Sequence, residues 1–103
     1  MREIVLDGGG WQTERDFYEA LVDALGGPDW HGRNPNAFID SMIYNIEIHD
    51  VRPPYQVVVR NIPGNMRSSL TEFAGWIEEG RQDRIKDSGW DGDVEVSVRL
   101  EDS

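Results

Sequence analysis

The sequence predicts a small α/β domain in which a three-stranded, largely parallel sheet packs against helices. Three apolar segments have the length of strands, and segments with helical periodicity lie between them in the order β-α-α-β-α-β. Strands joined through helices are normally parallel, because the helix returns the chain to the end of the sheet where it started. A length of 103 residues fits one domain, so we assign residues 1–103 to a single domain.

The first strand and the first helix have clear boundaries in the sequence. Residues 3–6 form a short apolar segment that ends at Asp7 and three glycines, which predicts a strand and a turn. Thr13 and Asp16 approximate a capping box, so we expect a helix over residues 14–25 that ends at Gly26. The apolar stripe of this helix comprises Phe17, Ala20, Leu21, Ala24 and Leu25.

A loop over residues 29–33 precedes the second helix. Asn34 is a favourable N-cap, and the proline after it has the backbone angle of a first helical residue, so a helix is expected from Pro35 to about Tyr44. Asn36 and Asp40 are one turn apart and lie beside or opposite the apolar stripe. That stripe comprises Phe38, Ile39, Met42, Ile43 and Ile46.

The remaining strands are predicted at residues 55–62 and 93–100. The first contains three consecutive valines, Val57–Val59, which indicates burial on both faces. The second alternates between apolar and polar residues, which is typical of a half-buried strand. Residues 45–54 show no clear pattern, and residues 87–93 are interpreted as a loop around Trp90.

The third helix is predicted over residues 70–86. Ser69 and Glu72 match the S-x-x-E capping box at its start. Its apolar positions are Leu70, Phe73, Trp76, Ile77 and Ile85, and we interpret Phe73 and Trp76 as core residues.

The composition favours a cationic partner. The chain has 20 acidic and 10 basic residues, a formal net charge of −10. Such a charge repels nucleic acid and anionic membranes and accelerates encounter with a basic protein. Solubility alone explains an acidic composition equally well. The absence of cysteine, of a signal peptide and of a long apolar segment favours a cytoplasmic protein.

No motif in the sequence indicates catalysis or a cofactor. The three glycines after the first strand lack the spacing and the lysine of phosphate-binding loops. A zinc site formed by His31, His49 and an aspartate is conceivable in space, but nothing in their spacing indicates it. Ser41 has no histidine at a fixed spacing. We therefore expect neither an enzyme nor a cofactor.

Asp40 and Trp30 are the strongest candidates for a binding surface. Acidic helix positions are usually solvated, but apolar neighbours surround Asp40, so a partner that covers it would exclude water and strengthen its charge interactions. Trp30 lies in a loop close to this helix. A loop tryptophan often covers the edge of a core, although tryptophan also anchors many interfaces.

Residues 28–42, PDWHGRNPNAFIDSM, resemble the segment that defines the barstar family of small intracellular inhibitors of secreted bacterial ribonucleases. The matching positions are Pro28, Asp29, Trp30, Gly32, Asn34, Ala37, Phe38 and Asp40. The resemblance implies a barstar-like domain whose loop and second helix cover the active site of a basic microbial ribonuclease. It also implies that Asp40 occupies the enzyme's phosphate site and that Trp30 packs on the enzyme.

The resemblance implies further contact residues. Gly32 and Asn34 would shape the loop, and Asn36, Ile39 and Tyr44 would surround Asp40. Asn36 and Ile39 stand where the family's best-known member has an aspartate and a tryptophan. On the last helix, the candidates are Glu79 and Asp83.

Two function hypotheses follow from the resemblance. The first is a cytoplasmic immunity protein, monomeric when free, that inhibits a ribonuclease as part of a toxin–antitoxin pair. The second is a barstar-fold interaction module for a toxin that is not a ribonuclease, or for a regulatory protein. The residues at positions 36 and 39 keep the second hypothesis open.

Overall fold

The computed structural model of the protein describes residues 2–87 and 93–101. The described elements have the predicted order β-α-α-β-α-β. They are β1 (Arg2–Asp7), α1 (Glu14–Leu25), α2 (Pro35–Ile39) with a π-helical turn (Asp40–Tyr44), β2 (Tyr55–Arg60), α3 (Arg67–Lys86) and β3 (Val96–Leu100). Short 3₁₀ turns span Ile46–Ile48 and Gly64–Met66.

The sheet has three parallel strands with β2 in the centre. Val57 of β2 lies opposite Ile4 of β1 and Val98 of β3. The three valines Val57–Val59 are all fully buried, as predicted, although successive side chains of a strand point to opposite faces. The predicted α/β fold class, with its parallel sheet, is therefore confirmed.

Aromatic rings connect the three helices in the core. The ring of Phe73 on α3 lies 5.4 Å from Phe17 of α1 and 6.2 Å from Phe38 of α2, both in edge-to-face geometry. Tyr18 stacks on Phe38 at 5.6 Å. Such pairs stabilise a core beyond the burial of their area, so the aromatic cluster fixes how α2 sits between its neighbours.

The local end signals of α1 act as the sequence predicts. The carboxylate of Asp16 accepts hydrogen bonds from the backbone N–H groups of Gln12 (2.8 Å) and Thr13 (3.2 Å), and these bonds lower the pKa of Asp16. At the other end Gly26 has a φ of +70°, which favours glycine. A Cβ at Gly26 would lie 2.7 Å from the Cβ of Asp50, so space also requires glycine there.

Helix α3 begins earlier than predicted. Its first residue is Arg67, and Met66 rather than Ser69 is its N-cap. The Ser69 hydroxyl instead donates to the Glu14 carboxylate of α1 at 3.0 Å, so a tertiary contact replaces the expected capping box. The predicted end at Lys86 is confirmed.

Two strands are shorter than predicted because the backbone turns at one residue. Strand β2 ends at Arg60, since the backbone of Asn61 has a φ of 55°. The side-chain amide of Asn61 donates to the carboxylate of Asp7 at 3.0 Å. Strand β3 begins at Val96, since Glu95 has a φ of 56°. The predicted loop around Trp90 lies outside the described residues.

Not every predicted stripe position is fully buried in the core. Phe73 is fully buried, whereas Trp76 is 38% exposed and Ile85 is 42% exposed. The covered face of α3 is narrow, because its buried positions are only Leu70, Phe73, Ile77 and Gly80. Ile46 belongs to a 3₁₀ turn and is half-buried. Over the described part of the chain, no helix is long and apolar enough to cross a membrane.

Two glycines of α3 provide a matched pair of test positions. A Cβ at Gly80 would touch Ile39 and Ile43 at 3.4 Å, whereas a Cβ at Gly75 would have no atom within 4 Å. We expect Gly75→Leu to raise the free energy of unfolding by up to about 1 kcal/mol through helix propensity. Gly80→Leu should lower it by roughly 1–3 kcal/mol through overpacking. Equal effects in denaturant titrations would contradict this packing.

Candidate protein-binding site

The second half of the predicted helix at residues 35–44 is wound as a π turn. The backbone N–H of Asn45 donates to the carbonyl of Asp40 at 2.8 Å, a bond that spans five residues instead of four. Residues five apart lie over one another in this winding, so the side chain of Asn45 sits beside that of Asp40. The helix has the predicted extent, but its regular α-helical winding ends at Ile39.

The carboxylate of Asp40 is exposed and held in position. Its Oδ2 accepts a hydrogen bond from the side-chain amide of Asn45 at 2.8 Å. Within residues 2–87 and 93–101, no lysine, arginine or histidine forms a salt bridge with it. Asp40 therefore presents a full negative charge in a fixed direction.

The loop before α2 packs closely against the start of that helix. Asn34 caps the helix as predicted, with its Oδ1 accepting from the N–H of Ala37 at 2.9 Å. A Cβ at Gly32 would lie 2.8 Å from the Asn34 side chain and 3.0 Å from the Cβ of Ala37, so only glycine fits without movement. Gly32 and Asn34 thus act on the surface by shaping the loop.

Trp30 projects from this loop with 75% of its surface exposed. The guanidinium group of Arg33 supports the loop by donating to the carbonyls of Asp29, at 3.0 Å, and His31. The alternative interpretation, that Trp30 covers the edge of the core, does not agree with this exposure. A large apolar side chain that no part of the described fold covers is available to a partner.

The remaining site candidates lie where α2 meets α3. Ile39 is half-buried against Gly80, so it contributes to packing as well as to the surface. Asn36 on α2 is exposed, and Tyr44 at the end of the π turn is half-buried.

The two α3 candidates lie beside the same helix contact. Glu79 directly precedes Gly80 and Asp83 follows one turn later, and both are exposed. Helical geometry places them on the side of Gly80 that faces away from the buried Ile77. The solvent-facing sides of α2 and α3 therefore form one surface across the contact.

Two buried histidines support the loop and the π turn from below, and no sequence spacing predicts the serine that joins them. The hydroxyl of Ser41 lies 2.7 Å from Nε2 of His31 and 2.8 Å from Nε2 of His49. The Nδ1 of His31 lies 2.8 Å from the carbonyl of Gly32. One serine thus links the loop, the π turn and the segment around residue 49.

The hydrogen-bond partners indicate which ring nitrogens donate and which accept. A carbonyl can only accept, so Nδ1 of His31 carries the hydrogen and its Nε2 accepts from the Ser41 hydroxyl. The Ser41 oxygen then accepts from Nε2–H of His49. This leaves Nδ1 of His49 as a buried acceptor without a partner in the described structure. Burial, and to a smaller extent the neighbouring His31, lowers the pKa of His49 to about 4, while Asp50 opposes the shift.

The histidine pair does not make the metal site considered from the sequence. His31 and His49 do come together, with ring centroids 5.2 Å apart, but both direct a nitrogen at Ser41. Across residues 2–87 and 93–101, no group of three potential ligands could hold a metal ion. The arrangement is a buried hydrogen-bond network that positions the surface above it.

A family comparison agrees with this geometry. The model of a family described as Barstar (barnase inhibitor) matches residues 1–87. The chain belongs to the Barstar family. The match runs from β1 to the end of α3 and includes the complete loop and π turn, whereas β3 lies beyond it. Members of the family are inhibitors that bind ribonucleases. No curated protein matches the chain.

The buried His49 predicts a fall in stability under mildly acidic conditions. Between pH 6.5 and about 4, His49 takes up a proton in the unfolded chain but not in the folded one. The free energy of unfolding should therefore decrease as the pH falls through this window, by at most about 3 kcal/mol from this group. Denaturant titrations at pH 7 and pH 4.5 measure the change. His49→Leu should reduce it, and an identical pH dependence in both proteins would contradict this role of His49.

Proposed function

We propose that this protein inhibits a basic microbial ribonuclease by inserting the carboxylate of Asp40 into the enzyme's phosphate-binding site. The supporting observation is an exposed carboxylate, oriented by Asn45, that has no cation within the described residues. Membership in a family of ribonuclease-binding inhibitors supports the choice of partner. The phosphate site of a ribonuclease is built to bind an anion, and Asp40 supplies one.

The geometry favours binding for two physical reasons. The Asn45 hydrogen bond restricts the Asp40 side chain before the partner arrives, so less conformational entropy is lost on binding. Trp30, on the adjacent loop, can cover the region around the ion pair and exclude water, which strengthens the attraction. The net charge of −10 would accelerate the approach of a basic enzyme, and added salt would slow it.

The other proposed contact residues have distinct roles. Gly32 and Asn34 hold the loop against α2, so they act through its shape. Asn36 and Tyr44 lie on either side of Asp40 along the chain, and Glu79 and Asp83 extend the acidic surface onto α3. Ile39 has less surface to offer, because it packs against Gly80.

A second candidate function is binding of a toxin that is not a ribonuclease, or of a regulatory protein. The observation that favours it is the neutral character of positions 36 and 39, because Asn36 removes a charge and Ile39 is partly buried. Affinity purification from the source cells, followed by identification of the bound protein, separates the two candidates. Recovery of a ribonuclease supports the first, and recovery of a different toxin supports the second.

Replacing Asp40 should strongly weaken inhibition. Asp40→Asn keeps the shape of the side chain and removes its charge, whereas Asp23→Asn makes the same change at an exposed position on α1. Loss of one partner of a buried charge pair costs about 2–5 kcal/mol in protein complexes, of which a complex of this family is a well-studied example, so inhibition should weaken at least about thirtyfold. Inhibition constants against guanyl-specific microbial ribonucleases measure the effect. Equal effects of the two substitutions would exclude Asp40 as the central residue.

Asn45→Ala should weaken inhibition less than Asp40→Asn. It keeps the negative charge but removes the hydrogen bond that orients the carboxylate. A hydrogen bond of this kind contributes about 1 kcal/mol, which corresponds to roughly a fivefold weaker inhibition constant. Asn65→Ala, at an exposed position of the 3₁₀ turn before α3, is the matched control. Inhibition unchanged by Asn45→Ala would show that the orientation of Asp40 does not depend on this bond.

A further inference from the structure

An exposed tryptophan on α3 borders a cavity that the proposed binding surface does not yet include. The cavity has a volume of about 240 Å³ and lies between the three helices. It is lined by Glu14, Tyr18, Pro35, Ser69, Glu72 and Trp76. Helical periodicity predicts Trp76 in the core, yet 38% of its surface is exposed at the edge of this cavity.

Defined contacts form the walls of this cavity. The hydroxyl of Ser69 donates to the carboxylate of Glu14 at 3.0 Å and connects α3 to α1. Tyr18 is buried and stacked on Phe38 at 5.6 Å, which gives the cavity a rigid apolar wall. Burial and the charge of Glu14 raise the pKa of Tyr18 to about 12. The phenol is therefore neutral at physiological pH, and the negative charge comes from the two glutamates.

The charge of these glutamates is not neutralised within the described structure. Neither Glu14 nor Glu72 forms a salt bridge with the described lysines and arginines, whereas Arg15 pairs with Glu19, and Arg81 with Asp93. Two carboxylates beside an indole ring suit a planar cation, which can stack on the ring and donate to both acids. A cavity of about 240 Å³ is smaller than typical sites for drug-sized ligands and suits a single side chain.

The cavity continues the proposed binding surface along α3. The stripe residues Ser69, Glu72, Trp76, Glu79 and Asp83 follow one another at alternating spacings of three and four, so they lie along one side of the helix. This stripe is about 21 Å long. On α2, Pro35 lines the cavity and directly precedes Asn36. The cavity therefore lies on the same side of α3 as Glu79 and Asp83 and adjoins the start of α2.

We propose that this cavity binds an arginine side chain of the basic partner protein, with its guanidinium group on the indole of Trp76 and its N–H groups donating to Glu14 and Glu72. The identity of the partner as a basic protein rests on the proposed function. The chemistry of the cavity rests on its own residues and can be tested without that partner.

The direct test is a titration of the ¹⁵N-labelled protein with N-acetyl-arginine amide, followed by NMR. The matched control ligand is N-acetyl-citrulline amide, which has nearly the same shape and no charge. The arginine compound should shift the indole N–H of Trp76 and the backbone signal of Glu72 in a saturable manner, and the citrulline compound should not. The absence of a shift, equal shifts with both compounds, or equal shifts at all exposed acids would overturn the proposal.

Two variants locate the binding. The substitutions Glu72→Gln and Trp76→Leu should each lower the affinity for the arginine compound about fivefold, because a cation–π or charge contact at such a site contributes about 1 kcal/mol. Asp23→Asn, which also removes one exposed carboxylate, should leave the titration unchanged. Backbone spectra show whether each variant keeps the fold. Arginine binding unaffected by Glu72→Gln in a folded variant would overturn the assignment.

Inhibition assays separate the failure of this proposal from the failure of the proposed function. If the chain inhibits a ribonuclease, Glu72→Gln should weaken that inhibition about fivefold, and less than Asp40→Asn does. If Asp40→Asn weakens inhibition and Glu72→Gln does not, the cavity does not bind an arginine of the enzyme, whereas the inhibitor function stands. Arginine binding in a chain that inhibits no ribonuclease would keep the cavity and reject the enzyme as partner.

Discussion

The structure of the proposed binding surface depends on the packing of the three residues that follow Asp40 in the chain. Asp40 is exposed, whereas Ser41, Met42 and Ile43, which follow it directly, are at most 1% exposed. The π turn is compatible with both conditions, because its wider winding brings Asn45 beside Asp40 while the three following residues face the core. Ser41 meets the two histidines, and Ile43 meets α3 at Gly80. The direction of the Asp40 carboxylate thus follows from how the core below it is packed.

The sequence predicts features that depend on near neighbours and misses those that depend on tertiary contacts. The caps at Asn34 and Gly26 and the buried valines of β2 are correct because local sterics and burial determine them. The π turn and the shared hydrogen bonds of Ser41 were missed because they depend on residues that only the fold brings together. Helical periodicity predicts Trp76 in the core because it does not show how wide the covered face of the helix is. Asp40 is exposed, but its hydrogen-bond partner Asn45 is five residues away, a spacing that regular helices do not use.

The inhibitor proposal depends on which acidic side chains are paired with cations inside the protein and which are not. Several acids are neutralised internally, as in the bidentate contact of Arg81 with Asp93 at 2.6–2.7 Å. Asp40 on the π turn and the acids Glu72, Glu79 and Asp83 along one side of α3 form no salt bridge with the described lysines and arginines, so this side of the protein carries uncompensated negative charge. Asn36 reduces that charge beside Asp40, and the glutamates around Trp76 add charge further along. Most of this uncompensated charge therefore lies on α3 and not around Asp40. Such a distribution suits a partner whose basic side chains extend beyond a single phosphate site.

The central claim is that Asp40 takes the place of a substrate phosphate. The most direct measurement is a titration of the purified protein against a guanyl-specific microbial ribonuclease in the presence of increasing concentrations of a guanosine mononucleotide. The account predicts a one-to-one loss of ribonuclease activity, with an apparent inhibition constant that rises linearly with the concentration of free nucleotide, because both ligands need the same anion site. Inhibition that the nucleotide leaves unchanged, or no inhibition of any such enzyme, would contradict it.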